Sequence, residues 1–383
     1  MCDILKHTTM KTGDKTMKKI HRTLSLFTVA AMCAALLCSC GEMPDSSQTD
    51  SSSKAATTTT ADTTADTTTT GEASSTASAT SAPDSSVSDS SSAVTDDTKT
   101  NGITPAMWKV TSPEGNTMVM LGSFHALKDE CYPLPEAVTN AYNNADILAV
   151  ECDITSTSED GEYMKNLMKQ MLYNDNTKLS QHISEEAYSA LQTYLGYWGM
   201  DISALEVYRP WAISSTLDTL LIQDADFDSE KGLDNYLLTT AHADGKEIYE
   251  VESVDFQMNL LINFSDDIYD LMFRSYEGET KESQKQALED LYTAWKSGDI
   301  ETFLEEDNEE ELAGYTEEDK KIAEDYNNQM LYDRNKNMAK AAEDLMSQGK
   351  NVFYVVGAAH YAGEGGIIDL LEKDGYTAER VQY

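Results

Sequence analysis

Two histidines in this 383-residue chain arrive in the same way. Met118-Val119-Met120-Leu121 runs into Gly122-Ser123-Phe124-His125, and Val352-Phe353-Tyr354-Val355-Val356 runs into Gly357-Ala358-Ala359-His360. Each apolar run reads as a buried strand. A glycine then allows a tight backbone path, and a histidine follows at the strand's carboxyl end. In α/β folds that edge of the sheet is where ligands bind. One structural histidine at a strand end is unremarkable; a matched pair points to one site built from both ends of the chain.

Other residues qualify by being out of place. Glu151 ends the apolar run Ile147-Leu148-Ala149-Val150, where a carboxylate is costly unless paired, metal-bound or at a polar edge. Glu252 ends a second strand, and a solvated edge carboxylate is an equal reading there. Arg334 interrupts a helical stripe of Ile322, Tyr326, Met330, Met338, Ala341 and Leu345, so a guanidinium falls on the face that should meet the core. A buried arginine needs carboxylates or a ligand, and a snorkelling one needs neither. Asn335 follows about 100° round the helix and could donate beside it. His182 and His242 lie in polar helical contexts and read as surface residues.

Two histidines and one or two carboxylates make a divalent-metal set, with His125, His360 and Glu151 as candidate ligands. A metal there could lower the pKa of a bound water or polarise a carbonyl. Glu252 could act as general base, and Arg334 could stabilise a developing oxyanion. There is no H-E-x-x-H, no P-loop and no G-x-S-x-G elbow.

The elements that must position these residues suggest an α/β fold: a two-half mixed sheet flanked by helices, with an inserted helical subdomain. Trp108 to His125 reads as a hairpin turning at Ser112-Pro113-Glu114-Gly115-Asn116. A helix over 135–145 and a strand over 146–153 follow. Helices are expected over 162–173, 184–196, 210–222 and 233–243, more than one crossover requires. A strand over 247–252 precedes helices over 255–264, 282–296 and 317–348. A strand, a helix over 366–373 and a strand over 377–382 close the chain. No solenoid repeat is visible.

The ends and composition place the domain. Residues 1–39 read as a signal peptide, with Met17 a candidate true start: a basic stretch, a short apolar run and then Leu37-Cys38-Ser39-Cys40-Gly41, which looks like a lipobox with Cys40 acylated. Residues 40–101 are mostly Ser, Thr, Ala and Asp, with no Leu, Ile, Phe, Tyr or Trp after Cys40, and read as a disordered tether. About 60 such residues reach roughly 45 Å. Residues 102–383 form the folded domain. The chain carries a net charge of −39; loss of residues 1–39, with six basic and two acidic residues, makes it −43. That argues against nucleic acid as a partner. Cys131 and Cys152 are too few for a disulfide framework, and a bridge between them is left open.

In this order the motifs resemble the TraB/GumN family, within the Tiki/erythromycin-esterase-like superfamily. They are Gly122-Ser123-Phe124-His125, then Asp146 to Glu151, Gly232-Leu233-Asp234, and Glu250-Val251-Glu252 with Gln257. Trp295-Lys296-Ser297-Gly298-Asp299, Arg334-Asn335, Val356 to Gly366 (with Gly363) and Gly375-Tyr376 follow. The resemblance spans roughly Trp108 to Val381. It implies that both histidines and Glu151 share a pocket, with Glu252, Arg334 and Asn335 as further polar positions. Tiki relatives are membrane-tethered metalloproteases using manganese or cobalt that trim the N-terminus of a secreted signal protein. Others in the superfamily bind haem, open a macrolide ester or act in pheromone shut-down. Phe124 replaces the commoner Ile or Val, and Ala-Ala precedes His360.

The expectation is a lipid-anchored extracellular hydrolase, a peptidase using manganese, cobalt or zinc on a peptide or small-molecule substrate. A non-catalytic binder of metal or haem is the alternative. An interaction protein would instead show a large exposed apolar patch and leave His125 and His360 apart.

Overall fold

Why the chain forms a sheet at all is clearest in its two central strands, where every residue is buried. β3 (Ile147–Val150) and β5 (Val352–Gly357) are covered on both faces, as an unbroken apolar run requires. The computed structural model describes residues 102–155, 161–304 and 315–383. The expected signal peptide, the expected lipid site at Cys40 and the expected tether lie outside these residues. The remaining strands are β1 (Met107–Thr111), β2 (Thr117–Ser123), β4 (Glu247–Glu250) and β6 (Thr377–Arg380). Their order is β4-β3-β5-β2-β1-β6. β4, β3, β5 and β2 run parallel. β1 is antiparallel to both β2 and β6, so the sheet is mixed. The outer strands β4 and β6 are mostly exposed and rich in charge, a usual guard on a sheet edge.

The expected hairpin is present. Its turn is fixed by Ser112, whose Oγ accepts from the backbone N–H of Glu114 and of Asn116, both at 3.2 Å. The helices are α1 (Glu136–Asn144), α2 (Gly161–Gln170), α3 (Glu185–Tyr197), α4 (Pro210–Asp224), α5 (Leu233–Asp244), α6 (Val254–Ile262), α7 (Asp266–Arg274), α8 (Lys281–Ser297), α9 (Glu317–Asn327), α10 (Asp333–Met346) and α11 (Ile367–Lys373). α7 is an addition to the sequence reading. Its signal was Ser265, whose side chain caps the backbone N–H of Ile268, with Asp266 and Asp267 in the first turn.

The helices inserted between β3 and β4 do not stand alone. They pack on helices that follow β4. Arg209 Nη2 donates to Ile262 O (2.7 Å) and Asp270 Oδ1 accepts from Ser184 N–H (2.6 Å). The Tyr194 and Tyr276 rings stack 4.2 Å apart. The long helix expected over 317–348 is two helices joined by a π-helical turn, Asn328–Tyr332. Within it Tyr326, Met330, Arg334, Met338 and Leu345 are buried as read, but Ala342 takes the core position expected of Ala341.

Cys131 and Cys152 are both free. Cys131 Sγ lies 3.0 Å from Tyr292 Oη, and Cys152 Sγ donates to Gln257 Oε1 at 3.5 Å. Among the described residues no helix is long and apolar enough to cross a membrane.

Candidate functional site

The register of β2 and β5 pairs Gly122 with Val356 and Ser123 with Gly357. Both strands therefore end level, and His125 and His360 emerge from the same edge. β3 lies on the far side of β5 and ends two residues short of them, Val150 opposite Val355. Glu151 follows. Three residues widely separated in sequence meet because their strands are neighbours.

Gly357 is the centre of the arrangement. A Cβ at that position would stand 3.2 Å from Glu151 Oε1, 3.6 Å from His125 Nε2 and 3.6 Å from His360 Cδ2. Glycine leaves that space open, and its backbone N–H donates to Glu151 Oε1 at 2.7 Å. His360 Nε2 lies 3.7 Å from the same carboxylate oxygen. Gly122 lies in β2 against Ala358, and Gly363 follows the turn carrying His360 with a left-handed φ of 64°.

Each imidazole is anchored through Nδ1. His125 Nδ1 donates to Asp234 Oδ2 at 2.8 Å. His360 Nδ1 donates to Asn335 Oδ1 at 2.6 Å, while Asn335 Nδ2 donates to Gly365 O at 3.0 Å and so fixes the amide's orientation. The anchors leave His360 Nε2 beside Glu151 and His125 Nε2 beside Gly357. Asp234 stands at the start of α5 beside Gly232. That glycine is required because a Cβ there would fall 2.0 Å from His125 O.

Behind Glu151 lies a buried charge network. Arg334, 6% exposed, donates through Nη2 to Glu151 Oε2 (2.7 Å) and Glu252 Oε2 (2.8 Å), through Nε to Glu252 Oε1 (2.9 Å) and through Nη1 to Met330 O (3.0 Å). Gln257 Nε2 donates to both Glu151 Oε2 (2.8 Å) and Glu252 Oε2 (2.6 Å). Four of the five N–H donors of Arg334 are thus engaged, and Glu252 is clamped in bidentate fashion. Glu252, Arg334 and Asn335, taken from sequence as groups acting on a substrate, each bond to another member of the set. In this geometry they position Glu151 and His360.

The electrostatics follow from these contacts. Burial alone would raise the Glu151 carboxyl. The charges of Arg334, His360 and His125 and the Gly357 N–H outweigh it and hold the group well below the usual carboxylate range. Burial and the Arg334 charge push His360 down to about 3, against the pull of Glu151, so its ring is neutral at pH 7. For His125 burial acts downward, but the charge and hydrogen bond of Asp234, with help from Glu151, win and push it up to about 9. His125 is also the open member of the set, with 36% of its side chain exposed.

Two imidazole Nε2 atoms and a carboxylate oxygen suit a divalent ion in donor type, and Nδ1 anchoring to a carboxylate or amide is how metal-bound histidines are held. As the side chains stand, no group of three or more His, Cys, Asp or Glu among the described residues is set to hold a metal ion. Closing the set asks for a side-chain adjustment.

Asp234 and Gln257 stand within the sequence motifs, but nothing in the sequence gives them a place in the site. An acid in the first turn of a helix and a glutamine inside one are common, so neither type alone signals a partner. His182 and His242 lie away from the site. His182 Nδ1 pairs with Asp266 (2.7 Å) and His242 Nε2 with Asp153 (2.7 Å).

Fold and site define an α/β protein whose paired strand-end histidines face a strand-end glutamate. The chain belongs to the TraB/PrgY/gumN family, whose model matches residues 106–380. It is similar to the uncharacterized protein YbaP of Escherichia coli (strain K12), 26% identical over 157 residues, 41% of this chain and 56% of that one. It is distantly similar to a metalloprotease TIKI homolog of Nematostella vectensis, 24% identical over 293 residues, 65% of this chain and 61% of that one. Metalloprotease TIKI1 of Xenopus tropicalis matches at 26% over 161 residues, 38% of this chain and 32% of that one. The chain thus spans less than two thirds of each of these relatives. No solved structure matches it.

Proposed function

We propose that this protein is a metal-dependent hydrolase, a peptidase, held on the extracellular side of a cell membrane by a lipid on Cys40. Its ion is manganese, cobalt or zinc, carried by His125, His360 and Glu151. The observation that carries this reading is the convergence of His125 Nε2, the His360 ring and Glu151 Oε1 around Gly357, with each imidazole held from behind. The similarity to proteins named metalloproteases supports the peptidase class. A divalent ion there supplies Lewis-acid chemistry and a reactive water at neutral pH.

The chain's own residues do the rest. Arg334 and Gln257 keep Glu151 ionised and in place. Asp234 and Asn335 hold each imidazole through Nδ1 and leave Nε2 toward the open space; His360 is neutral there, and His125, charged below about 9, would release its Nε2 proton on holding the ion. A peptide or small-molecule substrate would enter on the side of the half-open His125.

The test is the metal content of the full chain purified without chelator, beside a His125→Ala/His360→Ala variant, followed by cleavage of a peptide library with each ion. One divalent ion per chain, lost together with cleavage in the variant, is expected. Equal metal content and equal cleavage in the variant would overturn the reading. A Soret band on adding haem, with no turnover, would support the non-catalytic binder instead.

A further inference from the structure

Ser123 has no place in the site described so far, yet its hydroxyl raises an accounting problem. The residue is 2% exposed, and its Oγ has no hydrogen-bond partner within the protein. Buried hydroxyls are rarely left so, because losing water without a replacement bond costs about 1–3 kcal/mol. A small polar group at a strand end with a missing partner points to something that is not protein.

The register says where that partner sits. Ser123 pairs with Gly357 across the parallel β2–β5 ladder. Partners in a parallel ladder carry their side chains on the same face of the sheet. Ser123 Cβ is therefore on the face toward which Gly357 would have carried its own, about 5 Å away across the strand spacing. That vacant position is within 3.6 Å of Glu151 Oε1, His125 Nε2 and the His360 ring. β5 lies between β3 and β2, so Glu151 bounds the space from one side and Ser123 from the other. The hydrophobic neighbours of Ser123 fit this: Phe124 turns away into a ring cluster with Trp295, Tyr292, Phe227 and Phe303.

We propose that Ser123 is a fourth wall of the site and that its hydroxyl binds a water molecule in the space left open by Gly357. Glu151 Oε1 and the Nε2 atoms of His125 and His360 supply that water's other contacts. A buried water needs two to four polar partners, and this space provides them. The water's presence stands on the orphaned hydroxyl and the register alone. Its use rests on the hydrolase reading: its oxygen bonds to the substrate's carbonyl carbon as the C–N bond breaks, and one of its protons passes to the leaving amine.

The test separates the two. Crystals of the metal-free protein should show an ordered water within hydrogen-bond distance of Ser123 Oγ, absent in Ser123→Ala and kept in Ser123→Thr. In thermal unfolding without metal, Ser123→Ala should melt lower than the wild type, with Ser123→Thr intermediate or equal. Removing a hydroxyl that truly has no partner is neutral or stabilising. An unchanged or higher melting temperature in Ser123→Ala, or no water beside Ser123 in the wild type, overturns the proposal. Absence of peptide cleavage by the wild type counts against the hydrolase reading and leaves the water site to be judged by density and melting.

Discussion

Arg334→Met removes the cation lodged between Glu151 and Glu252 and keeps most of the side chain's apolar stem. The two carboxylates stay where they are, with side chains only 10% and 5% exposed. Breaking a buried pair from one side costs about 3–5 kcal/mol, since it strands an uncompensated charge. Gln257 and the Gly357 N–H still reach Glu151, which keeps the cost within that range although two acids are affected. For a domain of this size each kcal/mol moves the melting temperature by about 2–4 °C, so a drop of roughly 10 °C is expected at pH 7. The loss is pH-dependent with a definite sign. In the wild type the carboxyl of Glu151 is held below its ordinary 4.5. It contributes stability above that pH, and the contribution is lost as pH falls through the lower folded value. In the variant burial acts on Glu151 without Arg334 to oppose it, and its folded pKa rises. The deficit is then greatest near neutrality and shrinks as the medium is acidified toward pH 4.5. Denaturant titration by circular dichroism at both pH values measures it, and Arg334→Met/Glu252→Gln should recover part of the loss at pH 7. A cost below about 1 kcal/mol at pH 7, or one that does not shrink on acidification, would refute the view that Arg334 is held by two buried charges.

Two further outcomes test the anchors. Asp234→Asn should bring the His125 titration down from about 9, because burial then meets less opposition; imidazole NMR against pH reads it directly. The same raised value gives the wild type stability that is present below pH 6.5 and lost as pH rises through about 9, a fall that should be weaker in the variant. An unchanged titration would show that Asp234 does not control the ring. Asn335→Ala strands the His360 Nδ1 proton and the Gly365 carbonyl, both served by an amide 1% exposed. It should cost about 1–3 kcal/mol and, under the proposed metal site, weaken divalent-ion affinity by about 10–100-fold. Full affinity in isothermal titration would remove Asn335 from the site's support.

What could be read from the sequence was whatever a local pattern carries. The apolar runs before Gly122 and Gly357 gave the strands, and their identical endings placed His125 and His360 at one edge. Glu151 and Arg334 announced themselves by violating the apolar pattern around them. Asp234, Gln257 and Ser123 violate nothing. Their importance depends on which strand lies next to which, and that is decided by the long-range order β3-β5-β2. Ser123 in particular matters only because its register partner is a glycine, a fact settled by a pairing between residues more than 200 positions apart. Glu252 was equally readable as solvated or paired. The choice falls to Arg334, which comes from a different element and engages both of its oxygens.

The π-helical turn at Asn328–Tyr332 explains why the reading of one long helix gave the right arginine by an approximate route. The residues Tyr326, Met330, Arg334, Met338 and Ala342 are all buried and each is four positions after the last. At 100° per residue an ideal α-helix drifts by 40° for each such step, about 160° over the series. Such a series would leave the core face before reaching its end. A wide turn inserts an extra residue and takes up part of that drift, which is a recurrent device next to functional side chains. Here it lies immediately before Arg334 and Asn335 and includes Met330, whose carbonyl accepts from Arg334. One consequence is that adjacent residues of α10 serve different strand ends: Arg334 reaches Glu151 after β3, and Asn335 reaches His360 after β5. The neutral His360 and the ionised Glu151 are thus set by neighbouring positions on a single helix, whose placement over the sheet edge couples the two halves of the site.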